Sequence, residues 1–134
     1  MTGVSDQVGV SRIGQIAFTV SDLPRAVAFY RDVLGLRFLF EAPPNLAFFD
    51  CGGTRLMLTP PEAEGPVAGQ QFNSILYYDV ADIQGAARAL GDRGVTFDQP
   101  PHVVARLATA DLWLASFRDP DGHALALMSE VPRA

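Results

Sequence analysis

Residues 20–35 read Val20-Ser21-Asp22-Leu23-Pro24-Arg25-Ala26-Val27-Ala28-Phe29-Tyr30-Arg31-Asp32-Val33-Leu34-Gly35. A valine closes the apolar run IGQIAFTV (13–20), and the next two residues turn the chain into a helix. Asp22 is placed to cap that helix, because a carboxylate oxygen accepts from the free amides of the first turn. Pro24 sits where a missing amide hydrogen loses nothing. Ala26, Tyr30, Val33 and Leu34 recur at helical spacing and give one apolar face, and Gly35 supplies the stop. The same text returns 60 residues later: Val80-Ala81-Asp82 leads into IQGAARALGDRG, with Ile83, Ala86, Ala87 and Leu90 as the apolar face and Gly94 as the stop. An internal repeat of this kind constrains the fold more than any single element does.

Working outward, each helix is followed by a short run ending in phenylalanine, LRF at Phe38 and VTF at Phe97. Two strand-like runs then flank a turn, DCGGT in the first half and DPDGH in the second, and the strands that leave them are RLMLT and ALALM. Pairing Asp50 with Asp119 and Gly53 with Gly122 aligns those strands residue for residue. Each half therefore reads strand, helix, three strands. The first module covers about residues 11–59 and the second about 72–130, separated by the Pro- and Gly-rich linker PPEAEGPVAGQQ, residues 60–71. About sixty residues bury too little surface to fold alone. The expectation is one α+β domain over 1–134, with two βαβββ modules in tandem forming curved mixed sheets around a cleft, helices outside.

Composition removes several classes of function. All ten cations are arginines, so a lysine Schiff base is excluded. The arginines are spread singly among acids and form no stripe for a phosphate backbone, so no nucleic-acid partner is expected. Walker and GxGxxG loops, GxSxG and HExxH are all absent. Cys51 is the single cysteine, has no intrachain disulfide partner, and reads as a small turn residue. No apolar run approaches the roughly 18 residues of a membrane span, and the first residues lack a secretory pattern; a cytoplasmic protein with no membrane partner is expected. The net charge of −5 weakly favours cationic or neutral ligands.

The duplicated pattern, with VSDLPRAVAFYRDVLGL in the first half and FRDPDGHALALM near the end, resembles the vicinal oxygen chelate superfamily, which includes glyoxalase I, extradiol dioxygenases and bleomycin-resistance proteins. The resemblance runs from about Ser11 to Glu130 and implies a cleft in which metal-dependent members hold a divalent ion. Carried onto this chain by the repeat, the ligand positions are Gln15, Ile75, Met57 and Ala126. Only Gln15 offers a plausible donor, and one neutral amide does not replace the hydration shell of a divalent ion. Neither a metal nor any other cofactor is expected at that site, and a standard metal-dependent glyoxalase I mechanism is not.

Side chains alternate along strands, so the cleft face extends by steps of two. From Gln15 it continues to Ala17 and Thr19, from Met57 to Arg55 and Thr59, from Ile75 to Tyr77 and Asp79, and from Ala126 to Ala124 and Met128. This face is apolar with a few polar groups, the character of a small-molecule pocket. A second cluster comprises His102, Asp111 and Trp113. His102 oriented by Asp111 is a candidate acid–base pair; the same residues also read as a strand entrance, a turn and core. His123 has the opposite parity and reads as structural.

Two functions follow. The first is a glyoxalase/bleomycin resistance-like protein that binds a small apolar or aromatic organic molecule in a metal-free cleft, with Gln15, Thr19, Arg55, Met57, Ile75, Tyr77, Trp113 and Ala126 as ligand-binding residues. The alternative is a lyase, isomerase or dioxygenase of the same superfamily using His102 with Asp111, or a non-standard metal site. Open sheet edges and the family habit point to a homodimer.

Overall fold

The computed structural model describes residues 8–9, 11–61 and 74–133; most of the linker lies outside the described residues. The first module runs β1 (Gln15–Thr19), α1 (Leu23–Ala28), β2 (Arg37–Ala42), β3 (Leu46–Cys51) and β4 (Thr54–Thr59). The second runs β5 (Leu76–Asp79), α2 (Ile83–Asp92), β6 (Gln99–Arg106), β7 (Ala110–Arg118) and β8 (Ala124–Pro132). Each module builds one four-stranded sheet, in the orders β1-β4-β3-β2 and β5-β8-β7-β6. The strands flanking each helix-first crossover, β1 with β4 and β5 with β8, are parallel, and the remaining pairs are antiparallel.

The repeated aspartates act as caps. Asp22 accepts from the Arg25 amide at 3.1 Å, and Asp82 accepts from the Gly85 amide at 3.0 Å. A Cβ added at Gly85 would stand 2.4 Å from Asp82 Oδ2, so the glycine leaves room for the cap. Asp82→Ala is expected to cost about 1 kcal/mol in urea unfolding, the usual value of an N-cap; an unchanged midpoint would show that the cap contributes nothing.

α1 continues into a single wide turn, Phe29–Val33, closed by the Leu34 amide donating to the Phe29 carbonyl at 2.9 Å. Such π-turns re-aim side chains within a helix. Here Tyr30 is fully buried. Gly52 and Gly53 both have positive φ, 62° and 96°, as a two-residue hairpin between β3 and β4 requires. In the second module the run Val95-Thr96-Phe97 forms no strand. Val95 and Phe97 pack on the core as irregular chain, and β6 begins only at Gln99. Its prolines, Pro100 and Pro101, are tolerated because β6 is an edge strand with one side unpaired.

One apolar core serves both modules. It joins Phe18, Phe49, Leu56 and Leu58 of the first sheet, with Val20 just beyond β1, to Ala115, Phe117, Leu125 and Leu127 of the second, and takes Ala26 and Val27 from α1, Tyr30 from the wide turn after it, and Ile83, Ala87 and Leu90 from α2. All the strand residues in this set have the parity that faces the helices. Each sheet thus turns its helix-bearing face to the shared core and its other face away from it.

Candidate functional site

The outward face of the first sheet is ordered in rows by strand register. One row reads Gln15, Arg55, Asp50, Arg37 across β1, β4, β3 and β2; the next reads Ala17, Met57, Phe48, Phe40. The contacts within this patch are specific. Arg55 donates from Nε and Nη2 to Gln15 Oε1, at 3.1 and 2.8 Å, and Gln15 Nε2 donates to Met57 Sδ at 3.8 Å. The Arg55 guanidinium carbon lies 5.0 Å from the centroid of the Phe48 ring, and Phe40 stacks on Phe48 at 4.7 Å. Gln15 and Arg55 are exposed, and Phe40 is 44% exposed, a large value for a phenylalanine in a sheet. Gln15 therefore holds an arginine over the Phe48 ring, on which Phe40 stacks.

The outward face of the second sheet carries the row Tyr77, Ala126, Ser116, Gln99 and the row Asp79, Met128, Leu114, His102. Tyr77 is 48% exposed beside the fully buried, side-chain-poor Ala126, and Ile75 just before β5 is also largely open. Thr19 closes β1 and is buried. Gln15, Arg55 and Met57 are thus brought together on one face, and Ile75, Tyr77 and Ala126 have the outward parity of the other. Trp113 is not with them: it stands opposite Ser129 on the helix-bearing side of β7 and packs against the core.

His102 and Asp111 are not paired. His102 lies opposite Leu114 and places Nδ1 2.8 Å from the Pro100 carbonyl, to which it donates. Asp111 lies opposite Arg106 and accepts from Arg133, with Arg106 at 3.5 Å. Two arginines, not an imidazole, orient that carboxylate.

The four positions that the resemblance implies for metal ligands, Gln15, Met57, Ile75 and Ala126, carry an amide already engaged by a guanidinium, a thioether, and two hydrocarbon side chains. This donor set does not fit a divalent ion, which requires several oxygen or imidazole ligands. Among the described residues no three His, Cys, Asp or Glu side chains converge as a metal cluster. Cys51 is half-buried, and burial followed by the Asp50 charge pushes its thiol pKa up, away from the reactive thiolate. It borders a hollow of about 560 Å³ between the modules, lined also by Leu36, Leu56, Leu76 and Tyr78 and reached by Arg55 and Tyr77. The Tyr78 hydroxyl is buried with no hydrogen-bond partner among the described residues, and burial raises its pKa.

A polar network fastens the two modules. Tyr30 Oη, in the wide turn that follows α1, donates to Asp119 Oδ2 at 2.8 Å, and His123 Nδ1 lies 2.6 Å from the same oxygen, so the imidazole hydrogen is on Nδ1. Asp119 Oδ1 accepts from the amides of Asp121 and His123, and the His123 ring stacks on Phe18 of β1 at 4.2 Å. Asp119 is both the turn former that DPDG suggests and the acceptor on which a buried tyrosine and histidine depend.

Missed by the sequence were Phe48 and Phe40. The signal for the first was present: counting outward from the Gly52-Gly53 turn pairs Phe48 with Met57. Phe40 was hidden by the irregularity between Phe38 and Phe40, which resets the parity of β2.

Two tandem βαβββ modules with mixed four-stranded sheets define the architecture of vicinal oxygen chelate proteins. The chain matches the Glyoxalase/Bleomycin resistance protein/Dioxygenase superfamily over residues 12–127 and belongs to that family. It is 28% identical to YraH of Bacillus subtilis (strain 168) over 123 residues, 84% of this chain and 94% of that one. A crystal structure of a superfamily member from Sphaerobacter thermophilus DSM 20745 superposes with TM-score 0.76 at 26% identity, covering 90% of this chain and 98% of that one. TnmS3, an antibiotic binding protein from Streptomyces sp. CB03234, shares the fold with TM-score 0.73 at 23% identity, over 92% and 99% of the two chains. No helix among the described residues is long and apolar enough to cross a membrane.

Proposed function

We propose that the protein binds a small, planar, largely apolar organic molecule without a metal, on the outward face of its first sheet. The observation that carries this reading is the Phe40–Phe48–Arg55–Gln15–Met57 patch. Phe40 is exposed beside the half-buried Met57 and the buried Phe48, the polar members are fixed by each other, and none of them is arranged to hold a metal ion. Aromatic faces of this kind recognise flat molecules through stacking and area burial. The antibiotic binding of TnmS3 is consistent with the fold serving as a binder; the side chains listed above, not the fold, are the grounds for the reading.

A flat face alone leaves a bound molecule half in water. The second sheet presents Tyr77, Ala126 and Met128 on an outward face of its own; the opposite sides of the two sheets share the core, and Arg55 of the first face and Tyr77 of the second border the hollow between the modules. A homodimer in which the second sheet of one copy covers the first sheet of another would shield a molecule bound on that face, using the open edge strands β1 and β5.

The test is thermal unfolding with 2-naphthamide, a neutral planar probe, in excess chelator. Binding is expected to raise Tm without turnover of the probe; a ligand at one hundred times its Kd stabilises by about 2.7 kcal/mol. No rise with this or any other planar aromatic, or a rise that appears only after a divalent metal is restored, overturns the reading.

A further inference from the structure

We infer that the ligand of this face carries a carboxylate, held by Arg55, so that a protein of net charge −5 selects an anion. This rests on the reading above and adds the ligand's charge. Arg55 is one of ten arginines dispersed through the sequence, yet its surroundings differ from those of most others. Arg25, Arg31, Arg106, Arg118 and Arg133 each lie within 4.0 Å of a carboxylate. The Arg55 guanidinium instead rests on a neutral amide and an aromatic face, which fix its plane without cancelling its charge.

The neighbouring charges point the same way. Asp50 is the cross-strand partner of Arg55, but its Oδ1 accepts from the Gly53 amide at 3.0 Å and forms the turn. Arg37 lies opposite Asp50 on the other side, and Arg12 donates to the Gly53 carbonyl. Arg12, Arg37 and Arg55 therefore gather with Asp50 at this end of the first sheet, and Asp79 of β5 borders the same hollow as Arg37, Asp50 and Arg55, leaving three cations against two carboxylates. With Nε and part of Nη2 engaged by Gln15, the remaining hydrogens of the fork are the donors left for a ligand. A planar oxyanion accepts from such a fork, and an aromatic ring attached to it extends over Phe48 and Phe40. Next to apolar walls the charge is screened less than it is in open water.

The experiment is calorimetric titration of the full chain with 2-naphthoate, 2-naphthamide and a naphthyl-trimethylammonium salt, repeated with Arg55→Met. The wild type is expected to bind the carboxylate at least tenfold tighter than the amide and the cation least. In Arg55→Met the ratio of carboxylate to amide affinity falls to about one, whatever the loss of affinity common to both probes. Equal binding of carboxylate and amide by the wild type, or a preference that survives Arg55→Met, overturns the anion assignment and leaves the planar-ligand reading standing. Failure of all three probes to bind the wild type removes that reading and this inference together.

Discussion

Asp119→Ala is expected to lower the free energy of unfolding by about 3–5 kcal/mol, the cost of removing one partner from a buried charged network. The corresponding fall in Tm is on the order of 10–15 °C for a domain of this size. Asp119 is 5% exposed, and a single carboxylate serves Tyr30, the His123 ring and two backbone amides. Truncation leaves a buried phenol and a buried imidazole without an acceptor, at the seam where the first helix meets the second module. The pH dependence has a definite sign. Burial alone raises the Asp119 pKa, but hydrogen bonds from the His123 ring, Tyr30 and the His123 amide outweigh it and hold the carboxyl below its ordinary value. A group with a lowered folded-state pKa contributes stability that is complete above its unfolded value, about 3.9, and is lost as pH falls through the folded one. Below about pH 4 the wild type should therefore lose stability more steeply than Asp119→Asn. Urea titrations of the three proteins from neutral pH into acid check both statements, and a cost under about 1 kcal/mol for the alanine variant would mean that the network is incidental.

Phe48→Leu is expected to weaken binding of 2-naphthamide about tenfold while costing only about 1 kcal/mol of stability. Leucine keeps most of the buried volume, and Phe48 is 7% exposed, so the fold has an apolar residue where it needs one. What disappears is the ring that stacks on Phe40 and underlies Arg55. Calorimetry for affinity and urea unfolding for stability separate the two effects. Unchanged affinity with the expected small loss of stability would place the ligand elsewhere.

Most of the architecture could be read from the chain because the repeat is written in residues whose roles are local. Asp22 and Asp82 cap, Gly35 and Gly94 stop, and the Gly52-Gly53 turn fixes the register of the strands beside it. The outward parity of Gln15, Arg55, Met57, Tyr77 and Ala126 follows from alternation alone. Contacts that depend on packing between modules were not legible. Nothing local distinguishes Asp119 as a turn former from Asp119 as the acceptor for Tyr30, 89 positions earlier. His102 and Asp111 looked like a pair because both residue types suit proton transfer. Their separation is set by the register of β6 on β7, which contains two irregularities that no spacing rule reveals. Trp113 was placed in the site on residue type, whereas alternation along β7 puts it with Ala115 and Phe117 on the core side. The charge reading is of a different kind: net charge is a property of the whole chain, whereas the arginines at 12, 37 and 55 gather only once the first sheet is assembled.

We propose that recognition takes place on the outward face of the first sheet, on a platform of Arg55, Phe48 and Phe40. The most direct measurement is amide and side-chain NMR mapping of the 15N,13C-labelled protein titrated with 2-naphthoate in excess chelator. Shifts centred on Gln15, Ala17, Phe40, Phe48, Arg55 and Met57, with a weaker set at Tyr77 and Ala126, are the predicted result. Shifts centred on Leu36, Cys51 and Tyr78 in the hollow between the modules, or shifts that require an added divalent metal, would contradict it.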